Sequence, residues 1–416
     1  MHALYNFAIR LYGIAIFIFS FFNKKAKSWI NGRKNWKKQI ENLPQNVIWF
    51  HCASLGEFDQ GLPVMKEMKL IYPNHFLLVT FFSPSGMDHY HKRNHCVDLA
   101  IYLPLDTRQN AIDFLKLTHP KIGVFVKYEF WANYILEAKK QNIKIVSIAT
   151  ILRRNQIYFK AYGSFFRNML HSIDYFFVQN EATKTLLNSI KIENVVVVGD
   201  TRFDNVLANK RNFEFKLENS STKPRVFHDF LNGKKAIIFG SSWQPEEAIL
   251  EESLSFLKNE KIILAPHDVS ESNVARLVKK FGNIAIRYTQ FENYNQQSIL
   301  ILDTISHLST AYYFGKVAFV GGGFSGQLHN ILEPAVFGLP VFFGPKHSKF
   351  PEAANFIEEG FAFHVESATE FIAKLAFVSE NQAELSQKAI DFIDTQKGAA
   401  AKIASALVDF KLLLSQ

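Results

Sequence analysis

The sequence predicts an α/β fold of two doubly wound domains that face each other across a central cleft. The first observation is that short apolar runs alternate with polar stretches of helical length from residue 47 onward. Near-continuous apolar strands of this kind are typical of parallel sheets covered on both faces. The second is that 416 residues exceed one ordinary core. The third is a polar, charged segment at 209–232 that separates two sets of strands.

The apolar runs define the predicted strands of each domain. In the first domain they lie at 47–53, 76–82, 99–104, 122–126, 143–149, 175–179 and 194–199. In the second they lie at 236–240, 261–266, 284–288, 299–303, 316–322 and 339–344. The predicted domains therefore span 39–208 and 233–416, with 209–232 as the interdomain linker. Because doubly wound sheets bind ligands at the carboxyl ends of their strands, candidate functional residues are sought there.

The segment 1–38 differs in kind from the rest of the chain. Residues 3–22, ALYNFAIRLYGIAIFIFSFF, have the length of a membrane span, about 20 residues. A run of Lys and Arg without any acid follows at 23–38. A signal peptide would carry its positive charge before the apolar run, so this segment does not have the pattern of one. Positive charge after the apolar run places the rest of the chain on the cytoplasmic side. We expect a membrane anchor that spans the bilayer or lies in its interface; a buried amphipathic helix is the alternative.

The net charge, the cysteines and the absent motifs limit the kinds of partner and cofactor that the protein is expected to bind. The formal net charge of +9 indicates acidic partners such as phosphates, nucleotides or anionic lipid. Cys52 and Cys96 have no metal-binding or redox spacing and fit a reducing compartment. The sequence contains no DxD, GxxxxGK[ST] or HExxH motif. These absences predict a mechanism without a metal ion, and no other cofactor is expected.

The second domain carries polar residues after its first two strands. Ser241 and Ser242 precede a helix that begins near Pro245, and its free amides with the two hydroxyls would form a phosphate cradle. Ordinary N-capping of that helix is the alternative. His267 follows the next strand, where it could donate to a phosphate, although a surface or capping histidine would look the same.

The stretch FVGGGFSGQLHNILEPAVFGLPVFFGP (319–345) is the densest signal in the second domain. Its glycines spell GxGxxG, but the next strand ends without the acidic residue that a dinucleotide fold needs, so nicotinamide binding is rejected. Gly322 and Gly323 are instead expected to let the backbone approach a ligand closely. His329, Asn330 and Glu333 lie near one another on a helical segment, where Glu333 could bind ribose hydroxyls and the other two a phosphate.

The first domain offers further candidates at its strand ends: Ser54, Gly56, Glu57, Lys127, Glu129, Asn133 and Arg202. Glu57 is the most informative, because it follows a glycine turn between the first strand and a helix. It is either a charge that favours the helix end or the general base of an active site. For each of these residues alone, a helix-terminal charge or an exposed side chain is the more ordinary interpretation. Their convergence on one edge of the sheet is what favours a site.

Together these motifs make the chain similar to the 3-deoxy-D-manno-octulosonic acid (Kdo) transferases, which add Kdo to the lipid A precursor of Gram-negative bacteria. The resemblance rests on five motifs in order: His51-x-x-Ser54-x-Gly56-Glu57, Glu129-x-Trp131-x-Asn133, Gly199-x-x-Arg202-Phe203-Asp204, Gly240-Ser241-Ser242 with Glu246-Glu247, and His329-Asn330-x-x-Glu333-Pro334. It implies two Rossmann-like domains of the GT-B type, an acceptor site on the first domain and a CMP-Kdo site on the second. It also implies inversion of the anomeric centre without a metal ion.

The resemblance assigns a role to each candidate. Glu57 would be the general base that accepts the proton of the acceptor hydroxyl. The acceptor, lipid IVA, would be bound by Ser54, Gly56, Lys127, Glu129 and Asn133. The donor, CMP-Kdo, would be bound by Arg202, Ser241, Ser242, His267, Gly322, Gly323, His329, Asn330 and Glu333.

Two departures from the family pattern lie on the acceptor side. Lys127 and Ala132 stand where the family usually has an acid and a proline. Two alternatives stay open. One is another GT-B enzyme, either a lipid-linked glycosyltransferase or a UDP-sugar epimerase. The other is a non-catalytic membrane or nucleic-acid binder, although no nucleic-acid partner is expected.

Overall fold

The computed structural model describes residues 1–219, 225–305 and 307–410. The chain forms two compact units: Met1–Asn205 together with the chain from Gln396, and Val206–Thr395. Each unit contains one seven-stranded sheet whose neighbouring strands are parallel. The predicted α/β class with two Rossmann-like sheets is therefore confirmed.

The first unit alternates strands and helices in the predicted rhythm. Its strands are β1 (Val47–Cys52), β2 (Phe76–Phe81), β3 (Leu99–Tyr102), β4 (Pro120–Val126), β5 (Lys144–Thr150), β6 (Tyr175–Val178) and β7 (Val195–Val197). Its helices are α1 (His2–Phe19), α2 (Lys24–Gly32), α3 (Trp36–Ile40), α4 (Leu55–Ile71), α5 (Pro84–Met87), α6 (Arg108–Thr118), α7 (Ala132–Lys140), α8 (Ser164–Leu170) and α9 (Glu181–Asn188). Short 3₁₀ turns lie at Tyr90–Lys92 and Ile157–Phe159. Helix α10 (Thr201–Asn219) begins in this unit and continues into the second.

The second unit also alternates strands and helices. After α11 (Arg225–Leu231), its strands are β8 (Ala236–Ser242), β9 (Lys261–Pro266), β10 (Ala285–Arg287), β11 (Ile299–Ile301), β12 (Gly315–Val320), β13 (Val341–Phe343) and β14 (Ala362–His364). The remaining helices are α12 (Gln244–Ser253), α13 (Glu271–Phe281), α14 (Leu308–Tyr313), α15 (Leu332–Ala335), α16 (Pro351–Glu358), α17 (Ala368–Glu380) and α18 (Gln382–Thr395). The last helix of the chain is α19 (Ala399–Asp409), and 3₁₀ turns lie at Gly282–Ile284 and Tyr288–Asn293.

The first sheet has the strand order β3-β2-β1-β4-β5-β6-β7. Every residue of β1 is buried, and alternate side chains enter two separate cores. Phe50 packs in one core with residues of α4 and α19, and Trp49 packs in the other with residues of α6 and α7. The strand order reverses between β1 and β4, and ligands bind at such a switch point in doubly wound folds.

The second sheet has the order β10-β11-β9-β8-β12-β13-β14. Its reversal lies between β8 and β12, which pair in register from Ile237 with Val317 to Gly240 with Val320. The core on one face joins Phe239 and Phe319 to residues of α12, α13 and α17. Strand β14 was not predicted, because it has three residues and only two of them are apolar.

The unit boundaries differ from the predicted domains of 39–208 and 233–416. Residue 208 lies inside α10, and the predicted linker at 209–232 includes 220–224, which lie outside the described residues. Helix α19 belongs to the first unit because Ile403 and Leu407 complete the core beside α4. The carboxylate of Asp204 caps this helix, accepting from the backbone N–H groups of Gly398 at 2.6 Å and Ala400 at 2.9 Å.

Among the described residues, α1 is the helix that has the length and composition of a membrane span, with a mean hydropathy of 1.4. Ile9 is its one buried residue. Core helices and signal sequences meet the same criteria of length and composition, so these alone are weak evidence for an anchor.

Candidate functional site

Several of the predicted site residues lie at the switch points of the two sheets. In the first unit, Glu57 follows β1, and Lys127 and Glu129 follow β4, its neighbour in the sheet. In the second unit, Ser241 and Ser242 end β8, and the glycines at 321–323 follow β12. Each unit therefore places its candidates where doubly wound sheets bind ligands.

Glu57 lies in the first turn of α4, where its carboxylate contacts Ser54 and Lys127. Ser54 is the N-cap of this helix, and its hydroxyl donates to the Glu57 carboxylate. Lys127 Nζ lies 3.6 Å from Glu57 Oε1, and the two side chains are 23% and 14% exposed. The carboxylate is thus partly buried, oriented and paired with a cation, which differs from a freely solvated charge at a helix end.

Lys127 occupies an unusual backbone conformation at the end of β4. Its φ of +65° lies in the left-handed region that non-glycine residues rarely adopt. The backbone is fixed there because its N–H donates to Ile148 O at 2.8 Å and its C=O accepts from Ser147 Oγ at 3.0 Å. Strained residues of this kind cluster at functional sites, where the surrounding structure maintains them.

Glu129 is the second carboxylate of this group. Burial raises its pKa above the ordinary value, and the nearby charge of Glu57 raises it further, while Lys127 opposes the shift. The two carboxylates therefore have different surroundings, since Glu57 is the one in contact with the ammonium. Such a difference is what separates a proton acceptor from a neighbouring acid in enzyme sites.

A buried chain of hydrogen bonds joins the first two sequence motifs. Trp131 Nε1 donates to His51 Nε2 at 3.0 Å, so the neutral imidazole carries its proton on Nδ1, which lies 3.0 Å from Thr80 Oγ1. Trp49 Nε1 also donates to Thr80 Oγ1, at 2.8 Å. Burial lowers the pKa of His51 to about 3, so it stays neutral. His51 and Trp131 therefore fix the loop that carries Glu129 rather than contact a ligand.

Asn133 is bound to other residues inside the first unit, and its predicted role in acceptor binding stays a prediction. Its side chain is fully buried at the start of α7. The amide Nδ2 donates to Asp106 O at 2.5 Å and Asn6 Oδ1 at 2.8 Å, and Oδ1 lies 2.9 Å from His2 Nε2. Asn133 thus connects α7 to the N-terminal helix.

For Gly56 and Arg202 the structure shows the local surroundings of the two residues. Gly56 is exposed, and an added Cβ would have Ser54 Oγ at 3.7 Å as its nearest neighbour, so nothing in the structure explains a need for glycine there. Arg202 lies in the first unit, where its Nε donates to Asp200 Oδ2 at 2.8 Å. The predicted donor role of Arg202 stays a prediction.

In the second unit, Glu246 occupies one amide of the turn that was predicted to form a phosphate cradle, and one amide of the glycine segment after β12. Its carboxylate accepts from Trp243 N and from Gly322 N, both at 2.9 Å. Trp243, rather than Ser242 or Gln244, is the N-cap of α12. Glu246 is almost fully buried, and this burial raises its pKa. A cradle at this turn would therefore depend on the remaining groups around Ser241 and Ser242.

The glycines after β12 allow close packing of the protein backbone, and their predicted approach to a ligand stays a prediction. A Cβ on Gly322 would lie 2.2 Å from Gln327 O, and Gly322 itself has a φ of +87°. A Cβ on Gly323 would lie 2.4 Å from Gly344 N. These residues must be glycine so that three chain segments can meet beside the candidate site.

An aromatic stack lies over this end of the second sheet. The rings of Trp243 and His267 are stacked at 4.4 Å between centroids, and His267 and His329 follow at 4.6 Å. Trp243 Nε1 donates to His329 Nε2 at 3.3 Å, so the proton of neutral His329 lies on Nδ1. Burial lowers the pKa of His329 to about 4, with His267 adding to the shift. His329 is thus a neutral hydrogen-bond donor at physiological pH.

Polar groups beside the stack complete the candidate donor site. Asn330 Nδ2 donates to Glu333 Oε1 at 3.1 Å, so the predicted pair is formed. Ser242 Oγ is buried and has no hydrogen-bond partner among the described residues. A buried hydroxyl of this kind fits a polar ligand at the strand end. Within residues 1–219, 225–305 and 307–410, no group of three or more His, Cys, Asp or Glu side chains could hold a metal ion.

Comparison with known sequences shows similarity to one family of transferases. Residues 29–205 match the family described as "3-Deoxy-D-manno-octulosonic-acid transferase (kdotransferase)". The 3-deoxy-D-manno-octulosonic acid transferase of Aquifex aeolicus is 27% identical over 82% of this chain and 87% of its own length. That of Rickettsia felis is 24% identical over 88% of this chain and 80% of its own. The chain is therefore similar to Kdo transferases over most of its length. These relatives support a glycosyltransferase.

Solved structures agree with the fold of this chain. The UDP-GlcNAc 2-epimerase of Neisseria meningitidis bound to UDP-GlcNAc has a TM-score of 0.62 and 16% identity, over 89% of this chain and all of that one. At this identity the likeness concerns the fold alone.

Three residues that the sequence analysis did not select also shape the two sites. Thr80 links the rings of His51 and Trp49, Asp106 accepts from the backbone of Asn133, and Trp243 covers His267. Thr80 lies within β2, whereas Asp106 follows β3 and Trp243 follows β8, so a search of strand ends would include only the last two. A lone Thr, Asp or Trp carries no motif of its own, which is why none of the three was singled out.

Proposed function

We propose that this protein moves Kdo from CMP-Kdo to lipid IVA, with inversion at the anomeric carbon and without a metal ion. The observation that carries the proposal is the group at the first switch point, where Glu57 is oriented by Ser54 and paired with Lys127. The names of the relatives support Kdo as the transferred sugar. Membrane association of the family and helix α1 support a site of action at the cytoplasmic face of the inner membrane.

Glu57 is the proposed general base. As the acceptor oxygen attacks the anomeric carbon of Kdo, its proton passes to the Glu57 carboxylate. The new C–O bond forms as the bond between the anomeric carbon and the phosphate oxygen of CMP breaks, and its electron pair leaves with CMP. A single displacement of this kind inverts the anomeric centre. A positioned base contributes a factor of about 10² to 10⁴ in rate.

Lys127 and Glu129 are proposed to act beside the base. The Lys127 ammonium is 3.6 Å from Glu57 and would also attract the phosphate or carboxylate of a substrate. Glu129, whose pKa is raised by burial, would accept or donate a hydrogen bond to acceptor hydroxyls. His51 and Trp131 keep this loop in place through their hydrogen bond.

The second unit is proposed to bind CMP-Kdo at the end of β8 and β12. Glu333 would accept hydrogen bonds from the ribose hydroxyls, and His329 Nδ1–H, Asn330 and Ser242 would donate to the phosphate. Neutral donors aimed at the leaving phosphate stabilise the charge that develops on CMP. Gly322 and Gly323 would contribute through the backbone packing that they permit.

Product analysis tests this function. Purified full-length protein is mixed with lipid IVA and with CMP-Kdo made in situ, and the lipid is analysed by mass spectrometry. We expect the mass of one or more Kdo units and release of CMP. The same reaction with UDP-sugars in place of CMP-Kdo should give no product. Transfer from a UDP-sugar, or its epimerisation without transfer, would contradict the proposal.

Binding of CMP tests the donor site separately. Glu333→Ala should weaken CMP binding by about 1–3 kcal/mol, the usual effect of leaving buried hydrogen-bonding groups unpaired. Glu358→Ala, an exposed acid on the same unit, is the matched control and should bind as the parent does. Unchanged CMP affinity of Glu333→Ala in calorimetry would place the nucleotide elsewhere.

A further inference from the structure

A pocket of about 530 Å³ lies on the first unit between α1, α2 and the segment that follows β3. It shares no lining residue with the group around Glu57. Its walls are mainly apolar, with Gly13, Ile14 and Phe17 from α1, Ile30 from α2, and Leu105 opposite. The volume is within the range of about 300–1,000 Å³ that small-molecule sites have in proteins.

The wall formed by α1 is held in place by a buried polar network. Tyr5 donates from its hydroxyl to Asp106 Oδ2 at 2.5 Å, and the amide of Asn133 donates to Asn6 at 2.8 Å. Asp106 also accepts from the backbone N–H of Asn133 at 3.2 Å and is almost fully buried. Helix α1 is thus docked on the first unit through polar side chains on its inner face.

The wall formed by α2 is fixed by Arg33. Its guanidinium donates to three backbone carbonyls: Leu103 at 2.8 Å, Phe82 at 2.7 Å and Trp29 at 3.0 Å. The same group lies 3.6 Å from the ring centroid of Trp29. These contacts bind α2 to the ends of β2 and β3. The pocket is therefore bounded by two anchored helices rather than by movable side chains.

A surface helix of a soluble protein turns its apolar side chains to the core and its polar side chains to water. Helix α1 has the opposite arrangement. The polar residues Tyr5 and Asn6 are half-buried, whereas the apolar residues at 4, 7, 11, 14 and 18 are exposed. Cations accompany this face. Arg10 is exposed at the pocket, and no ion pair involves it within 1–219, 225–305 or 307–410. Lys24, Lys25 and Lys27 follow on α2.

We propose that this pocket binds an acyl chain of an anionic membrane lipid, with the phosphate of the headgroup at Arg10. The apolar walls match a hydrocarbon chain, and the exposed apolar face of α1 opens the same side of the unit to lipid. The unpaired guanidinium supplies the charge that a phosphate needs. The inference depends on the docking of α1 and not on the transferase reaction.

Fluorescence quenching by brominated lipids tests the pocket, because Trp29 and Trp36 line it. Full-length protein is bound to vesicles of phosphatidylglycerol that carry bromine on the acyl chains, and tryptophan emission is compared at equal amounts of bound protein. Gly13→Leu fills the pocket; its Cβ meets only the flexible end of Leu105, at 2.7 Å, so α1 can stay docked. Ala8→Leu adds similar bulk at an exposed position outside the pocket.

We expect Gly13→Leu to lose at least about half of the quenching and Ala8→Leu to keep it. Ile30→Phe fills the pocket from α2 and should act as Gly13→Leu does, so that the result does not depend on one variant. Parental quenching in both filled variants would overturn the proposal. Brominated phosphatidylcholine should quench less than phosphatidylglycerol in the parent but equally in Arg10→Gln. Equal quenching by both lipids in the parent would overturn the role of Arg10.

The bound acyl chain could belong to a bilayer phospholipid or to lipid IVA, because both lipids combine acyl chains with phosphate groups. Unbrominated lipid IVA, added to the brominated vesicles, separates these sources. Recovery of fluorescence at a few per cent of the total lipid would assign the pocket to the acceptor, and recovery only in proportion to dilution would assign it to phospholipid. Neither readout requires turnover, so failure of the proposed transferase activity would not alter it.

Discussion

His51 makes the stability of the first unit sensitive to acid, and His51→Gln should remove that sensitivity. The imidazole is fully buried, accepts from Trp131 Nε1 and donates to Thr80 Oγ1. Its burial lowers the pKa to about 3, against an ordinary value of 6.5. The unfolded chain therefore binds a proton as the pH falls below 6.5, while the folded unit does not until about pH 3. Stability is complete above pH 6.5 and is lost as the pH falls.

The magnitude follows from the difference between the two pKa values. At pH 5 the unfolded imidazole is protonated and the folded one is not. The free energy of unfolding should therefore be about 2 kcal/mol lower than at pH 7.5, since each pH unit below 6.5 contributes about 1.4 kcal/mol. In His51→Gln this contribution disappears. The variant is less stable at pH 7.5 because its hydrogen bonds are imperfect, but its dependence on pH is flatter.

Urea unfolding at pH 7.5 and 5.0 measures this effect, followed by tryptophan emission, to which Trp49 and Trp131 beside His51 contribute. His75→Gln, at a half-exposed position of the same unit, is the control and should keep most of the parental pH dependence. If His51→Gln loses as much stability between the two pH values as the parent does, then His51 is not held neutral and the hydrogen-bond chain is misassigned.

Three other predictions concern residues that support the site. Trp131→Phe leaves His51 Nε2 without its donor and should destabilise the first unit by about 1–3 kcal/mol, with a lower kcat and unchanged CMP affinity; an unaltered urea midpoint would contradict it. Asp204→Ala removes the cap of α19 and should cost about 0.5–2 kcal/mol, whereas Lys402→Ala, exposed on the same helix, should be neutral; equal stabilities would refute the cap. Deletion of 1–22 removes Tyr5 and Asn6 from Asp106 and Asn133, so it should lower the thermal midpoint as well as membrane sedimentation; a truncated protein as stable as the parent would show that α1 is not docked.

The fold could be predicted from the sequence because its signals are local. Each apolar run between polar, helix-length stretches corresponds to a parallel strand, and errors at the strand ends are a few residues. The position of Glu57 at the switch point follows from the same pattern, since strand ends in a doubly wound sheet converge. The unit boundary was not predictable from local patterns. Helix α19 returns to the first unit through hydrogen bonds from Gly398 and Ala400 to Asp204, which is almost two hundred positions earlier in the chain.

The roles of several site residues could not be predicted for the same physical reason. Asn133 looks like a polar residue at a strand end, and only its distant partners Asn6 and Asp106 show that it is buried. Glu246 has the pattern of a charge in a first helical turn, but its carboxylate also accepts from Gly322 N, 76 positions away, and from Trp243 N in the predicted cradle. Hydrogen bonds between distant segments leave no periodic signal in the sequence.

Turnover of Glu57→Gln tests the central claim most directly. As a charge at the N-terminal end of α4, Glu57 would contribute only about 0.3–1 kcal/mol to stability, and turnover would be nearly unchanged. As general base it contributes a factor of about 10² to 10⁴ in rate. The substitution keeps the shape of the side chain, and Glu67→Gln on the same helix is the matched control. We predict that Glu57→Gln folds and binds CMP as the parent does and transfers Kdo at least about a hundredfold more slowly, whereas activity within about threefold of the parent would contradict the assignment of Glu57 as the base.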